Sequence, residues 1–234
     1  MNAVNSGFKE RVVTTFRAMK LDCDLHPDEL TIPVHQQGRA IARLRPVHVN
    51  VAPQEITLLM EWRNQNREAF FSWFVATAQG TRDWLKEQIL SREDRILFFV
   101  ETLDGVPLGH IGLTSFDFSS KTCEIDNVLR GRDEFIKGGM SAALQALINW
   151  VFIYLGANSV YLRVLAGNRH AVDFYKSSGL RIVRRVPLRR VEEGNIIRWV
   201  EADNESASAC ENYALYLERS NDGNCAKESE TGEE

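Results

Sequence analysis

Residues 168–180 read NRHAVDFYKSSGL, and the way this stretch folds decides how the rest of the chain is organised. It follows an apolar run, SVYLRVL at 159–165, that has the length and β-branched content of a buried strand. Asn168 stands where a helix N-cap belongs, with a side-chain oxygen able to accept from a first-turn amide. Ala171, Phe174 and Tyr175 fall at i, i+3 and i+4, so they share one helical face. Gly179 then supplies the stop. Strand, Asn cap, short amphipathic helix and Gly stop is a general α/β device, and in many such helices an inward Tyr simply packs with its hydroxyl hydrogen-bonded. The surrounding elements decide between packing and chemistry.

Working outward, the longest helical stripe lies at Gly139–Leu155, through Met140, Ala143, Leu144, Leu147, Ile148, Val151 and Leu155. Before it come three β-rich runs, Arg95–Thr102, Val106–Phe118 and Thr122–Arg130. The first two are joined by Leu103-Asp104-Gly105, and the three together predict an antiparallel meander. Further upstream, Arg43–Val51 reads as a strand and Pro53 opens a helix through Ile56, Leu59, Met60 and Arg63. Thr81 is the expected cap of a second helix carrying Trp84, Leu85, Ile89 and Leu90. Downstream, Leu180–Arg190, Ile196–Ala202 and Tyr213–Leu217 read as closing strands. The pattern divides into an N-terminal extension over 1–40, with a short helix through Val12, Phe16 and Met19, one domain over 41–218, and a disordered acidic tail over 219–234.

Composition narrows the function classes. The 234 residues, 44% of them hydrophobic, suffice for one sizeable core. A net charge of -4 argues against a nucleic-acid binder, which needs a basic field to displace counterions. Cys23, Cys123, Cys210 and Cys225 are scattered, with no C-x-x-C pair and no clustered histidines, so no metal is expected. So few cysteines suit a reducing compartment, and no run reaches the length of a membrane helix. The expectation is a cytoplasmic protein with neither nucleic-acid nor membrane partners, a homodimer being left open.

The pattern N-x-x-A-x-x-F-Y-x-x-x-G-L at 168–180 resembles the late segment of the GCN5-related N-acetyltransferases (GNAT superfamily). The order of elements, strand, two helices, three antiparallel strands, long helix, strand, helix and terminal strands, is similar to that family's. GHIGL at 109–113, EIDNVLRG at 124–131 and YLRV at 161–164 are similar to a bacterial subgroup that includes ribosomal-protein and amino-sugar nucleotide acetyltransferases. The resemblance implies an α/β (α+β) fold with a central mixed, mostly antiparallel sheet flanked by helices, acetyl-coenzyme A as co-substrate, and a small-molecule amine as partner.

It also implies residue roles. Tyr175 would protonate the departing thiolate, and Asn168, Ala171 and Phe174 would accompany it along the cofactor. Lys137, Gly138, Gly139, Met140, Ser141 and Ala142 begin the long helix, where a glycine turn and free amides suit a pyrophosphate. In this alignment Ile136 stands where the family usually has Gln or Arg, and Lys137 could restore the charge. The backbone of Asn127, Val128 and Leu129 would hold the pantetheine arm and polarise the thioester carbonyl. An amine must be neutral to attack, so a carboxylate or imidazole has to take its proton. Glu124, then Asp126, then His110 are the candidates. By strand alternation, Glu124, Asp126, Val128 and Arg130 are expected on one face and Ile125, Asn127 and Leu129 on the other.

On the acceptor side, Trp62 and Arg63 of the W-R-N run at 62–64 are the expected substrate contacts, an aromatic face and a guanidinium suiting a nucleotide or sugar and its anion. Two other readings stand beside a small-molecule enzyme: a protein N-terminal or ribosomal-protein acetyltransferase, and a non-catalytic acyl-coenzyme A binding or regulatory module.

Overall fold

A computed structural model describes residues 3–21, 30–132, 136–202, 210 and 212–221. The expected acidic tail beyond residue 221, Cys23 and Cys225 lie outside the described residues. The chain runs through α1 (Ala3–Leu21), β1 (Ile32–Gln36), β2 (Arg39–Pro46), α2 (Pro53–Gln65), β3 (Ser72–Trp73) and α3 (Ala78–Trp84). There follow β4 (Ile96–Glu101), β5 (Pro107–Asp117), β6 (Thr122–Arg130), α4 (Gly139–Trp150), β7 (Ser159–Leu165) and α5 (Arg169–Ser177). The described chain closes with β8 (Arg181–Glu193), β9 (Ile196–Glu201) and β10 (Asn212–Ser220). Both α3 and α4 continue as a wider turn, over Leu85–Leu90 and Val151–Leu155.

All ten strands form one sheet in the order β1-β2-β4-β5-β6-β7-β10-β8-β9-β3. Every neighbouring pair is antiparallel except β6 and β7. The α/β (α+β) reading with a mostly antiparallel sheet holds. One face packs Phe8, Val12 and Phe16 of α1, Leu144 and Leu147 of α4 and Tyr175 of α5 over Phe98, Ile111 and Ile125. The other face packs Ile56, Leu59 and Trp62 of α2 with Leu85 and Ile89 over Leu97, Phe99 and Leu129. Successive residues of β4 feed opposite cores, which is why RILFFVET reads as a continuous apolar run rather than an alternating one.

Several boundaries differ from the sequence reading, each for a local reason. Within the expected extension over 1–40, the described helix α1 and strand β1 are part of the core and not an appendage to it. Phe8, Val12, Phe16 and Met19 are buried in it, and Lys20 donates to the carbonyls of Ile89 (3.1 Å), Arg95 (3.0 Å) and Arg92, a buried cation satisfied by a helix end. β1 pairs with β2 around Gln37-Gly38, both at positive φ (51° and 75°). That is the backbone of a tight hairpin turn without the usual Asn-Gly or Asp-Gly signature. The strand expected at Arg43–Val51 therefore starts earlier, at Arg39, and ends at Pro46. The cap of α3 is Thr77, which accepts from the Gly80 N–H at 3.1 Å, while Thr81 is buried inside the helix. β3, only two residues long, has too little sequence to carry a period.

Candidate active site

The site is built where β6 leaves β7. The two strands pair only through Thr122↔Ser159, Cys123↔Val160 and Glu124↔Tyr161. Beyond that point β7 stays bonded to β10 through Leu165, whereas β6 stays with β5. A wedge opens between two parallel strands, with the starts of α4 and α5 at its wide end. Opposite the wedge, His110 of β5 faces Leu129 and Gly112 faces Asp126, so Asn127 and Val128 together oppose the single residue Ile111. This is a β-bulge, with Asn127 in the left-handed region at φ 52°.

The bulge overturns the expected alternation along β6. Ile125 and Val128 both pack on the main core, and Leu129 joins the α2 core beside Leu97 and Phe99. One extra residue flips every side chain after it to the other face. Glu124 and Asp126 keep their shared face, and Val128 leaves it.

Asp126 fixes the bulge. Its Oδ1 accepts the Asn127 backbone N–H at 2.7 Å, and its Oδ2 accepts Asn127 Nδ2 and Arg95 Nη2, both at 2.8 Å. With its own N–H committed to Asp126, Asn127 turns its carbonyl towards His110 Nδ1, 2.6 Å away. A carbonyl can only accept, so Nδ1 carries the proton and Nε2 the lone pair. His110 is 5% exposed, and burial lowers its pKa to about 4, so the ring is neutral at neutral pH. Nε2 has no partner among the described residues and is left for the cavity that His110 lines. Glu124 stands apart from this group. It is 5% exposed and held by Nε and Nη2 of Arg163, at 2.7 and 3.3 Å.

Tyr175 is 8% exposed on the other side of the wedge, edge-on to Phe174 at 5.2 Å between ring centroids. Burial, and secondarily the charge of Asp126, pushes its hydroxyl pKa well above the ordinary tyrosine range. The hydroxyl has no hydrogen-bond partner among the described residues. Asn168 caps α5 as expected, its Oδ1 accepting from Ala171 N at 3.2 Å, and Gly179 ends the helix at φ 87°. At the head of α4, Gly138 is left-handed (φ 80°, ψ 0°), and a Cβ there would come within 2.8 Å of Gln36 Nε2. Glycine is thus required where the chain turns into the helix. The first helical bond is Ala142 N to the Gly138 carbonyl, at 2.9 Å. The amides of Met140 and Ser141 precede it and are left pointing out of the helix end.

A cavity of about 390 Å³ borders His110 and Asn127, walled by Leu59, Phe70, Phe74 and Trp84, with Arg63 as its cation. The Arg63 guanidinium lies 3.7 Å from the Phe70 ring centroid and 4.8 Å from that of Phe74, and donates to the Ser72 carbonyl at 2.6 Å. Partial burial lowers its pKa to about 10 against the opposing pull of the Asp126 charge, and among the described residues no carboxylate pairs with it. Trp62, expected beside it as a substrate contact, is 3% exposed and does not line this cavity. Its ring packs on Phe99, His110 and the backbone at Gly131, where a Cβ would come within 2.1 Å of it. The alternation of helix α2 puts Trp62 inward and Arg63 at the cavity, a distinction the W-R-N run alone does not make.

Sequence reasoning missed Arg95, Arg163 and the roof over the site. Residues 66–77 cross from α2 to the far edge of the sheet, where Ser72↔Arg198 and Trp73↔Ile197 pair and Trp199 N donates to the Phe71 carbonyl at 2.8 Å. A residue pair brought together across thirty or more positions leaves no local signal. Among the described residues no group of His, Cys, Asp and Glu is arranged to hold a metal, and no helix is long and apolar enough to cross a membrane.

A family model described as an acetyltransferase (GNAT) domain matches residues 43–181. No curated protein matches the chain. Among solved structures, a spermidine N-acetyltransferase from Vibrio cholerae in complex with CoA and spermine is similar, at 15% identity and TM-score 0.56, over 76% of this chain and 94% of that one. A probable GNAT-family acetyltransferase from Chromobacterium violaceum aligns at 13% identity and TM-score 0.59, over 81% and 86%. A nucleotide-linked sugar GNAT, apo FdhC, aligns at 14% identity and TM-score 0.56, over 77% and 86%.

Proposed function

The chain belongs to the GNAT acetyltransferase family, and from that premise we propose a cytoplasmic, acyl-coenzyme A-dependent N-acetyltransferase acting on the primary amine of a small molecule such as an amino-sugar nucleotide. Its catalytic domain takes in residues 41–218 together with α1 and β1, which pack on the same core and sheet. The observation that carries this reading is the wedge between β6 and β7, with the Asn127 bulge on one side, Tyr175 on the other and helix starts at its wide end.

The residues present fit acetyl-coenzyme A, which supplies an activated acetyl thioester. A flexible arm with amide groups can complete the strand edges that β6 and β7 leave open, along Asn127, Val128 and Leu129. The Gly138-Gly139 turn and the amides of Met140 and Ser141 offer a helix-terminal seat for phosphate oxygens, with Lys137 adding charge and Ala142 close-packed behind. Asn168, Ala171 and Phe174 flank the same wedge.

On the acceptor side the amine enters the cavity beside His110. Of the three proton acceptors considered, Asp126 is the most central: its charge bears on His110, Arg63, Arg163 and Tyr175 together. It is also one-third exposed, so a proton can pass from the amine through Asp126 to water. His110 Nε2 accepts a second amine N–H and aims the nitrogen lone pair. Glu124, buried and paired with Arg163 away from water, organises the closed end of the wedge. Tyr175, kept protonated by burial, gives its hydroxyl proton to the departing thiolate.

Arg63 gives the acceptor its character. A half-buried guanidinium with no carboxylate paired to it among the described residues favours an amine that brings its own anion and disfavours a polycation. This observation favours a sugar nucleotide over a polyamine and over a basic peptide N-terminus. The test is thiol release from acetyl-coenzyme A across amines matched in size and differing in charge. Turnover confined to spermidine-like substrates would overturn the acceptor assignment.

A further inference from the structure

Behind the two-residue strand β3 lies a second cavity, of about 510 Å³, whose lining, Asn168 apart, has no role in the reaction described above. Side chains alternate along a strand, and here the alternation divides two spaces: Ser72 and Phe74 line the acceptor cavity, whereas Trp73 lines the second one. The same division repeats on the preceding turn, with Arg63 in the acceptor cavity and Arg67, one helical turn later, in the second. The second cavity also touches Leu165 and Asn168, so it reaches the wide end of the wedge.

Its walls combine a fixed ring and neutral amides with one charged pair at the rim, Arg67 and Glu68, 4.0 Å apart. Trp73 is held by its indole N–H donating to the Phe70 carbonyl at 2.8 Å and by the Trp199 ring 5.8 Å away. Asn66 donates from Nδ2 to the Trp62 carbonyl, which leaves its Oδ1 as an acceptor. Asn168 and Asn212 spend their Oδ1 atoms on Ala171 N and Tyr213 N, which leaves two NH₂ groups as donors. The side chain of Gln65, at the end of α2, makes no hydrogen bond among the described residues. An immobilised aromatic ring with uncharged donors and acceptors beside it suits a planar base and a hydroxylated ring, because stacking holds the first and amides read both.

We infer that this cavity is a nucleoside subsite, taking the base and ribose of an acceptor whose amine-bearing unit occupies the cavity at His110. Arg63 and Arg67 then stand on either side of the β3 partition, where the linking phosphates would cross it, Arg67 turning from its loose 4.0 Å pairing with the exposed Glu68 to meet them. The inference rests on the proposed acetyl transfer for its purpose, but it is tested without turnover.

The experiment is calorimetric titration of the full chain with UDP and, separately, dTDP. Wild type should bind at least one of them. Trp73→Ala should weaken that binding about tenfold, the low end of what base stacking on an aromatic contributes. Gln65→Ala, an exposed helix-end change that leaves the fold intact, should weaken it about threefold, the worth of one neutral hydrogen bond. Both variants should bind acetyl-coenzyme A as wild type does. The inference is overturned if neither nucleotide binds wild type, or if Gln65→Ala and Trp73→Ala both bind as wild type. Wild-type acetylation of nucleotide-free amines would leave the proposed activity standing in either case, whereas nucleotide binding without any acetyl transfer would remove the activity and keep the subsite.

Discussion

Replacing His110 by Gln separates the chemistry of the bulge from its packing. The imidazole is buried and neutral, with a pKa lowered from 6.5 to about 4. In the unfolded chain it regains its ordinary value, so between pH 6.5 and 4 the unfolded state binds a proton that the folded state refuses. Stability is therefore intact above pH 6.5, falls as pH drops, and stops falling below about pH 4. The full effect is about 3 kcal/mol, and most of it is already lost at pH 4.5. Gln can still donate to the Asn127 carbonyl, but it does not titrate. Urea unfolding of wild type and His110→Gln at pH 7.5 and 4.5 measures the difference. The variant is expected to be less stable at pH 7.5, having lost ring contacts with Trp62, yet to lose about 2 to 3 kcal/mol less on acidification. Parallel losses in the two proteins would show that His110 is not the neutral, Nδ1-protonated group described here.

Other perturbations test the remaining parts. Tyr175→Phe keeps the ring in the core and removes the proton donor, so kcat should fall about 100-fold with little change in Tm; equal losses of stability and turnover would mark a packing tyrosine. Gly139→Asp puts a negative charge at the head of α4 and should weaken acetyl-coenzyme A binding by about tenfold in calorimetry. Asp126→Asn should lower kcat/KM most at neutral pH and recover as pH rises and more amine arrives neutral. Glu124→Gln, which disturbs only the Arg163 pair, should leave the shape of the pH profile alone.

Much of the fold was legible because its signals are local. β7 and β6 begin and end where the sequence places them, and the Asn168 cap and Gly179 stop form as read. What escaped depends on distant partners. The Gln37-Gly38 turn closes a hairpin only because β2 is already held by β4, and α1 looks detached until its Phe8 and Phe16 meet Phe116 of the sheet. The bulge at Asn127 has no sequence period of its own; it exists because Asp126 can bond the next residue's N–H and Arg95 at once. Glu124 and Asp126 look equivalent two positions apart on a strand, and only the partners Arg163 and Arg95 tell them apart. Trp62 and Arg63 were read together as ligand contacts, but adjacent helical residues face different ways.

The central claim is that the wedge between β6 and β7 holds acetyl-coenzyme A and passes its acetyl group to an amine. Thiol release from acetyl-coenzyme A, followed with mass spectrometry of the amine product, tests it most directly. The expected result is release that depends on both the amine and Tyr175, with one acetyl group gained by an anion-bearing amine. Tight binding of coenzyme A with no amine-dependent release, across the whole amine panel, would contradict it and leave an acyl-coenzyme A binding module.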